Sequence, residues 1–278
     1  NIEVICINDG SLDNTLSILE TWKRKNLFEM IVYDQNNIGV STSRNRGIEL
    51  STGENIIFLD ADDKISPLFV ELLINAIEGN DVSYCKVTRK ECEINNNTKK
   101  EPISESNIEV MRKLIYTPRE YGFSTYMYKK DLLISNQVFF NIDTRYGEDR
   151  EFLWKYLCYC KRASFVNEKM YFYRLNVNSV TNKNITWDIT ESMNAHNRVS
   201  KVLREQNSLV KEEYDGYMYS RGIWSYAKTF AVAKKKELFL KLRKEYDVDV
   251  CMRNLVNSTE KSVAISSILY FIISIFSL

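Results

Sequence analysis

Apolar runs of strand length alternate with amphipathic stretches of helix length over the first third of the chain. Ile2–Ile7, Met30–Tyr33 and Asn55–Leu59 are rich in β-branched residues, and turn residues bound the first and the last. Asp13–Lys25 and Ser41–Ser51, lying between them, carry a helical period. Hydrophobicity within the strand runs is continuous rather than alternating, as in strands covered on both faces. The order strand, helix, strand, helix, strand therefore predicts a parallel α/β sheet. Gly53 stands where a C-cap would close the second helix.

Past Pro67 the pattern predicts a helix to Glu78, a strand at Val82–Val87 and a polar loop at Asn95–Pro102. Helices at Ile108–Tyr116 and Asp149–Cys160 flank a mixed aromatic stretch, and a strand-like run follows at Met170–Leu175. From Trp187 onward the pattern is helical with no clear strand. Two parts result: a catalytic-type domain over 1–185 and a helical C-terminal region over 186–278. The chain opens directly in a strand-like run without a Met or a signal peptide, which predicts a start inside a domain.

Composition narrows the chemistry. At 278 residues the chain is long enough to bury a core without staples, and 38 Lys and Arg against 37 Asp and Glu leave a net charge of +1. No global field favours nucleic acid, so a dedicated nucleic-acid binder is not expected. The one histidine, His196, lies in a helical stretch and reads as an ordinary helix residue. Ser-His-Asp and Cys-His catalysis and His-rich zinc sites are thereby set aside, and proton chemistry falls to carboxylates.

The six cysteines, Cys6, Cys85, Cys92, Cys158, Cys160 and Cys251, form no CxxC pair and read as free thiols in a reducing, cytoplasmic setting. The Asn-x-Thr triplets at Asn96, Asn184 and Asn257 carry no weight without export.

Charge is local near the C-terminus. Arg221–Glu245 holds eight basic residues against two acidic ones, interleaved with Trp224, Phe230, Leu238, Leu240 and Leu242. A solvated basic face and a patch for anionic lipid head groups both fit. The last seventeen residues, Ser262–Leu278, are uncharged and apolar. At about 1.5 Å per residue they sit at the lower limit for crossing a ~30 Å hydrocarbon core. A membrane-associated end is expected, with a buried terminal helix as the alternative.

Four short segments carry chemistry. Phe58-Leu59-Asp60-Ala61-Asp62-Asp63 ends a strand in three carboxylates, which repel unless a cation sits among them. Mg²⁺ or Mn²⁺ takes one or two carboxylates plus substrate phosphates, and an acidic helix-capping turn is the plainer reading. Asn8-Asp9-Gly10-Ser11 ends the first strand and would place Asp9 at the same sheet edge, although Asp-Gly is ordinary turn chemistry. In Asn37–Asn45 a Gly turn opens a helix holding Ser41 and Arg44, fit for an anion or for simple capping. In Tyr146-Gly147-Glu148-Asp149 two acids precede an amphipathic helix, as either a general base or an N-cap requires.

These segments occur in order with Tyr126–Leu133, Tyr173-Arg174 and Ser179-Val180-Thr181. Together they resemble the inverting nucleotide-diphospho-sugar transferases of glycosyltransferase family 2, of the bacterial polysaccharide-synthesis type. The resemblance spans roughly the first two-thirds of the chain. It implies a glycosyltransferase A-type fold: a mostly parallel nucleotide-binding sheet flanked by helices, here with a helical C-terminal region. The family's usual first strand and helix do not precede Asn8.

By the same resemblance, Asp9 and Arg44 are expected at the nucleotide, Asp60 at ribose and metal, Asp62 at Mg²⁺ or Mn²⁺, and Asp149 as catalytic base with Glu148 its neighbour. It further implies a hexosyl- or N-acetylhexosaminyl-transferase using a UDP-sugar and a glycan acceptor. The basic and apolar C-terminal region adds the expectation of a lipid-linked acceptor and a peripheral place on the inner face of the cell membrane. A catalytically inactive nucleotide-sugar-binding or scaffolding member of the fold is the alternative. A sugar nucleotidyltransferase would open with a Gly-rich phosphate loop, and Glu148-Asp149 argues against it.

Overall fold

The computed structural model describes residues 1–97, 100–175, 185–206, 208–258 and 260–276. Ser179-Val180-Thr181 and the triplet residues Thr98, Asn184 and Thr259 lie outside the described residues.

The first half runs β1 (Glu3–Asp9), α1 (Thr15–Arg24), β2 (Glu29–Gln35), α2 (Val40–Leu50), β3 (Asn55–Ile57), β4 (Lys64–Ile65) and α3 (Phe69–Ile77). There follow β5 (Val82–Thr88), β6 (Ile103–Ser106), α4 (Asn107–Tyr116), β7 (Tyr126–Lys129), α5 (Lys130–Ser135), α6 (Glu148–Tyr159) and β8 (Arg162–Phe172). The C-terminal helices are α7 (Ser192–Glu205), α8 (Tyr219–Val232), α9 (Lys236–Glu245), α10 (Val248–Leu255) and α11 (Lys261–Phe276). A π-helical turn, Tyr214–Met218, leads into α8.

The fold is α/β with helices on the sheet faces, and its pairing is mixed. β1 and β2 pair in parallel, with Asn8 opposite Asp34 and Asp9 opposite Gln35. A second sheet is ordered β3-β7-β5-β8-β4, with β6 also on β8. There β5 and β8 are parallel and the other pairs antiparallel. β7 and β6, at Tyr126–Lys129 and Ile103–Ser106, are too short to stand out as apolar runs, and they supply three of the antiparallel pairings.

Gly53 does not cap α2. The helix ends at Ser51 in extended backbone, and the Glu3 carboxylate of β1 accepts from the amides of Thr52 (2.6 Å) and Gly53 (2.7 Å). α4 begins with a full capping box between Ser106 and Glu109.

The two faces of the large sheet bury different cores. α3 packs Phe69 and Leu73 with Met127, Met170 and Tyr171 on one face. On the other, α4 and α6 enclose an aromatic cluster that includes Phe58, Tyr84, Tyr126, Phe140 and Phe152. Phe140 and Phe152 stack at 4.0 Å, and Phe58 meets both edge-on at 5.2 and 5.4 Å. Phe58 lies two residues before Asp60, and Phe152 one helical turn after Glu148. One cluster thereby fixes both segments.

The C-terminal helices form a third core from α8 to α11, while Val199 and Leu203 of α7 join the aromatic cluster. The first part of the apolar tail packs on this core: Val263 and Ser267 are buried, Trp224 donates to Ser266 at 3.1 Å, and Tyr270 donates to Asp249 at 2.7 Å. No helix among the described residues is long and apolar enough to cross a membrane. All six cysteines are free, with burial pushing the Cys158 thiol up to about 12.

Candidate active site

The parallel register of β1 and β2 brings four polar side chains to one sheet edge. The Asp9 carboxylate accepts from Gln35 Nε2 (2.8 Å) and the amides of Ile38 (2.9 Å) and Gly39 (2.9 Å). Burial pushes its carboxyl up, but these bonds, with one from Ser43, outweigh burial and hold it below the ordinary value of 3.8. Gly10, at φ 73°, lies against Asn37, where an added Cβ would stand 2.7 Å from the backbone nitrogen. Gly39, at φ 97°, opens α2.

Asp9 thus faces the turn into α2. Asn8 and Gln35, which sequence reasoning passed over, line a cavity of about 630 Å³ with Asp34 and Asn37. Asn8 Nδ2 donates to Asp34 at 2.6 Å, whereas Asn8 Oδ1 and Gln35 Oε1 are buried without a donor. Both oxygens are therefore short of a hydrogen-bond donor. The signal was present in the alignment of Asn8-Asp9 with Asp34-Gln35, visible only once the register is known.

Arg44 joins the remaining segments. From α2 it donates to Asp60 Oδ1 at 3.0 Å and to Glu148 Oε1 at 3.2 Å, with its guanidinium 4.4 Å from the Phe123 ring centroid. Only 14% of the side chain is exposed, so both carboxylates are paired against an apolar shelf. Glu148 and Asp149 open α6, where Gly147 holds a left-handed conformation at φ 85° and the helix dipole favours anions. Burial, then the neighbouring Asp149 charge, pushes the Glu148 carboxyl up despite Arg44. One Asp149 oxygen accepts from the amide of Arg150 at 2.7 Å.

The Asp60–Asp63 turn divides its acids. Asp63 accepts from the Tyr171 hydroxyl (2.6 Å) and the Arg174 amide (2.8 Å), and burial first, then Asp60 and Asp62, pushes its carboxyl up. Asp62 is exposed and accepts from no described residue. Among the described residues no three groups are placed to hold a metal by themselves. The Asp62 carboxylate and the second oxygen of Asp60 accept from no described residue, and hard cations that take one or two carboxylates complete their shell from a diphosphate.

His196, on α7, stacks on Tyr214 at 4.4 Å, and burial pulls it down to about 4. It stands apart from these acids as a neutral packed residue.

The family model described as Glycosyl transferase family 2 matches residues 1–157, more than half of the chain. The chain belongs to glycosyltransferase family 2. The matched segment contains Asp9, Arg44, Asp60, Asp62, Glu148 and Asp149.

EpsH of Bacillus subtilis, which carries a glycosyltransferase assignment, is 26% identical over 254 residues, covering 87% of this chain and 73% of EpsH. TarS of Staphylococcus aureus, a poly(ribitol-phosphate) beta-N-acetylglucosaminyltransferase, is 25% identical over 174 residues, covering 62% of this chain and 30% of TarS. The crystal structure of TarS 1-349 with UDP-GlcNAc superposes with a TM-score of 0.68 at 18% identity, covering 95% of this family 2 chain and 80% of that one. This likeness establishes the glycosyltransferase A-type fold.

Proposed function

We propose that the chain transfers a sugar from a nucleotide diphosphate to a hydroxyl of a glycan or lipid-linked acceptor, with inversion, in cell-surface polysaccharide synthesis. One observation carries the reading: Arg44 ties Asp60, at the acidic turn, to Glu148, at the start of α6. A diphosphate-binding turn and a proton-accepting acid pair thereby share one site. Direct displacement needs both, one to hold the leaving group and one to deprotonate the acceptor.

Roles follow from what each side chain already holds. Glu148 is buried against Arg44, so Asp149, with one oxygen uncommitted, is the general base. Asp62, assisted by Asp60, is the place for Mg²⁺ or Mn²⁺, which when bound supplies positive charge to the leaving diphosphate. The cavity lined by Asn8, Asp34, Gln35 and Asn37 suits a base with a polar edge, as uracil has. UDP and UDP-GlcNAc, the ligands of the TarS complexes, are the donors to try first. Asp9 acts beneath the base, as the residue that shapes the turn into α2.

Calorimetry with UDP is the direct test. Binding should strengthen on adding Mn²⁺ and lose that gain in Asp62→Ala. Equal affinity in excess chelator contradicts the assignment.

The reading extends to a cytoplasmic, peripheral membrane location, carried by α8 and α9 more than by the tail. Lys228, Lys234, Lys235, Lys236 and Lys244 are exposed without an ion pair to a described residue, and Val232 and Leu240 are exposed among them. Each such cation contributes about 1 kcal/mol near an anionic surface. The triple change Lys234→Glu, Lys235→Glu, Lys236→Glu should abolish sedimentation with phosphatidylglycerol vesicles. Unchanged sedimentation removes this face from the account.

A further inference from the structure

The acid pair is fixed partly from outside the family 2 segment. Glu151, in the first turn of α6, has a side chain only 1% exposed. A carboxylate so placed is costly to desolvate unless every oxygen is satisfied. Arg198 of α7 satisfies it bidentately, Nε to Oε1 at 2.8 Å and Nη2 to Oε2 at 2.7 Å, and Lys155 adds a contact at 2.5 Å. The same Nη2 donates to the hydroxyl of Thr144, a buried residue of the loop entering Gly147-Glu148-Asp149.

That loop is tethered at both ends. At its start, Asn45 of α2 exchanges two 2.8 Å hydrogen bonds with the backbone of Phe140. At its end, Gly147 lies so close to α7 that an added Cβ would stand 3.0 Å from Ser192 Cβ and 3.6 Å from Ala195 Cβ. One helix face, Ser192, Ala195 and Arg198, thus sets where the loop stops and α6 begins.

We infer that α7 is the positioning element of the acid pair and that Arg198 is its principal positioning residue. The inference rests on the reading of Asp149 as base. A buried ion pair adds little net stability compared with an apolar pair of equal volume. What the guanidinium fork supplies here is direction: it locks Thr144 and Glu151 at a fixed spacing on either side of Glu148 and Asp149. The helical C-terminal region is then part of the catalytic frame.

The test compares Arg198→Lys, Arg198→Met and Thr144→Val with Asp149→Asn in the full chain. Lys155 remains to neutralise Glu151 in each Arg198 variant, and Thr144→Val removes only one hydrogen bond. Hydrogen exchange over residues 141–149 should quicken at least about tenfold in Arg198→Met, with residues 82–88 of β5 unchanged. UDP binding with Mn²⁺ should stay within twofold.

Turnover is followed as UDP release from UDP-GlcNAc, UDP-glucose and UDP-galactose. It should fall on the order of 10²-fold in kcat for Arg198→Met with KM for the donor unchanged, as misplacement by about 1 Å predicts. Arg198→Lys should recover part of the rate. Unchanged exchange over 141–149, or equal acceleration in β5, overturns the inference. So does normal turnover in Arg198→Met alongside an inactive Asp149→Asn. Should Asp149→Asn itself turn over normally, the base assignment fails while the exchange result still decides the role of α7.

Discussion

The β1–β2 unit and the six-stranded sheet contribute one side each to the site, and different forces hold them. In β1 only Asn8 is buried, α1 buries none of its residues, and Ile18, Trp22, Leu27 and Phe28 are exposed. In the large sheet, Val82 to Cys85 of β5 are buried in succession and α6 buries six of its twelve residues. The β1–β2 side therefore leans on a few carboxylate-to-backbone bonds from Glu3 and Asp9, whereas the acid-pair side leans on aromatic packing. A single polar substitution should reshape the first locally, and a single cavity should weaken the second globally.

The largest expected effect is in the packed half. Phe152→Ala removes a ring stacked on Phe140 and should cost about 3–5 kcal/mol in denaturant unfolding. Ile18→Ala, on the other side, should stay within about 0.5 kcal/mol. Similar costs for the two would erase the contrast.

His196 gives a pH-dependent version of the same test. Burial lowers it from 6.5 to about 4, with Asp215 opposing and Arg150 reinforcing the shift. The unfolded chain therefore takes up the proton first as pH falls. Stability is full above about 6.5 and declines toward about 4, by on the order of 3 kcal/mol in total. His196→Phe should flatten that slope, and an unchanged slope would place the titration elsewhere.

The smallest effect belongs to the hydrogen-bonded half. Asp9→Asn should cost about 1–2 kcal/mol in global stability while the Ile38 and Gly39 amides exchange faster. Because the folded carboxyl lies below 3.8, this stabilisation is present above that pH and is lost as pH falls through the folded value. Uniform exchange across β1 and α2 would mean that the unit is held by more than its carboxylate bonds.

Much of this was legible in the residues and some could not have been. Pattern and turn residues located β1, α2, α3, α4 and α6 to within about two residues, because each is a run of at least seven residues bounded by turn or capping residues. Short motifs pointed to Asp60 and Asp62, because acids bunched at a strand end repel one another, and to Glu148 and Asp149 only through their place in the ordered set of family 2 segments, since acids at a helix start are also what capping favours. The antiparallel pairing through β7 was not legible, since four residues carry too little pattern.

Nor was the engagement of Arg44 by two acids 104 and 16 residues away, or the reach of Arg198 to Thr144 and Glu151. Those depend on tertiary geometry that local spacing does not encode. Gly53 misled because glycine after a helix usually marks a left-handed cap, and here Glu3 holds the turn instead.

The central proposal is that Asp149 removes the acceptor proton at a site where other residues hold the donor. Its most direct test is transfer by Asp149→Asn beside Mn²⁺-dependent UDP binding by the same protein, using the donor that the wild type turns over. The account predicts a rate loss of about 10²- to 10⁴-fold with donor affinity unchanged, because general-base assistance acts on the transition state alone. Near-normal transfer by Asp149→Asn, or the full loss in Glu148→Gln alone, would contradict it.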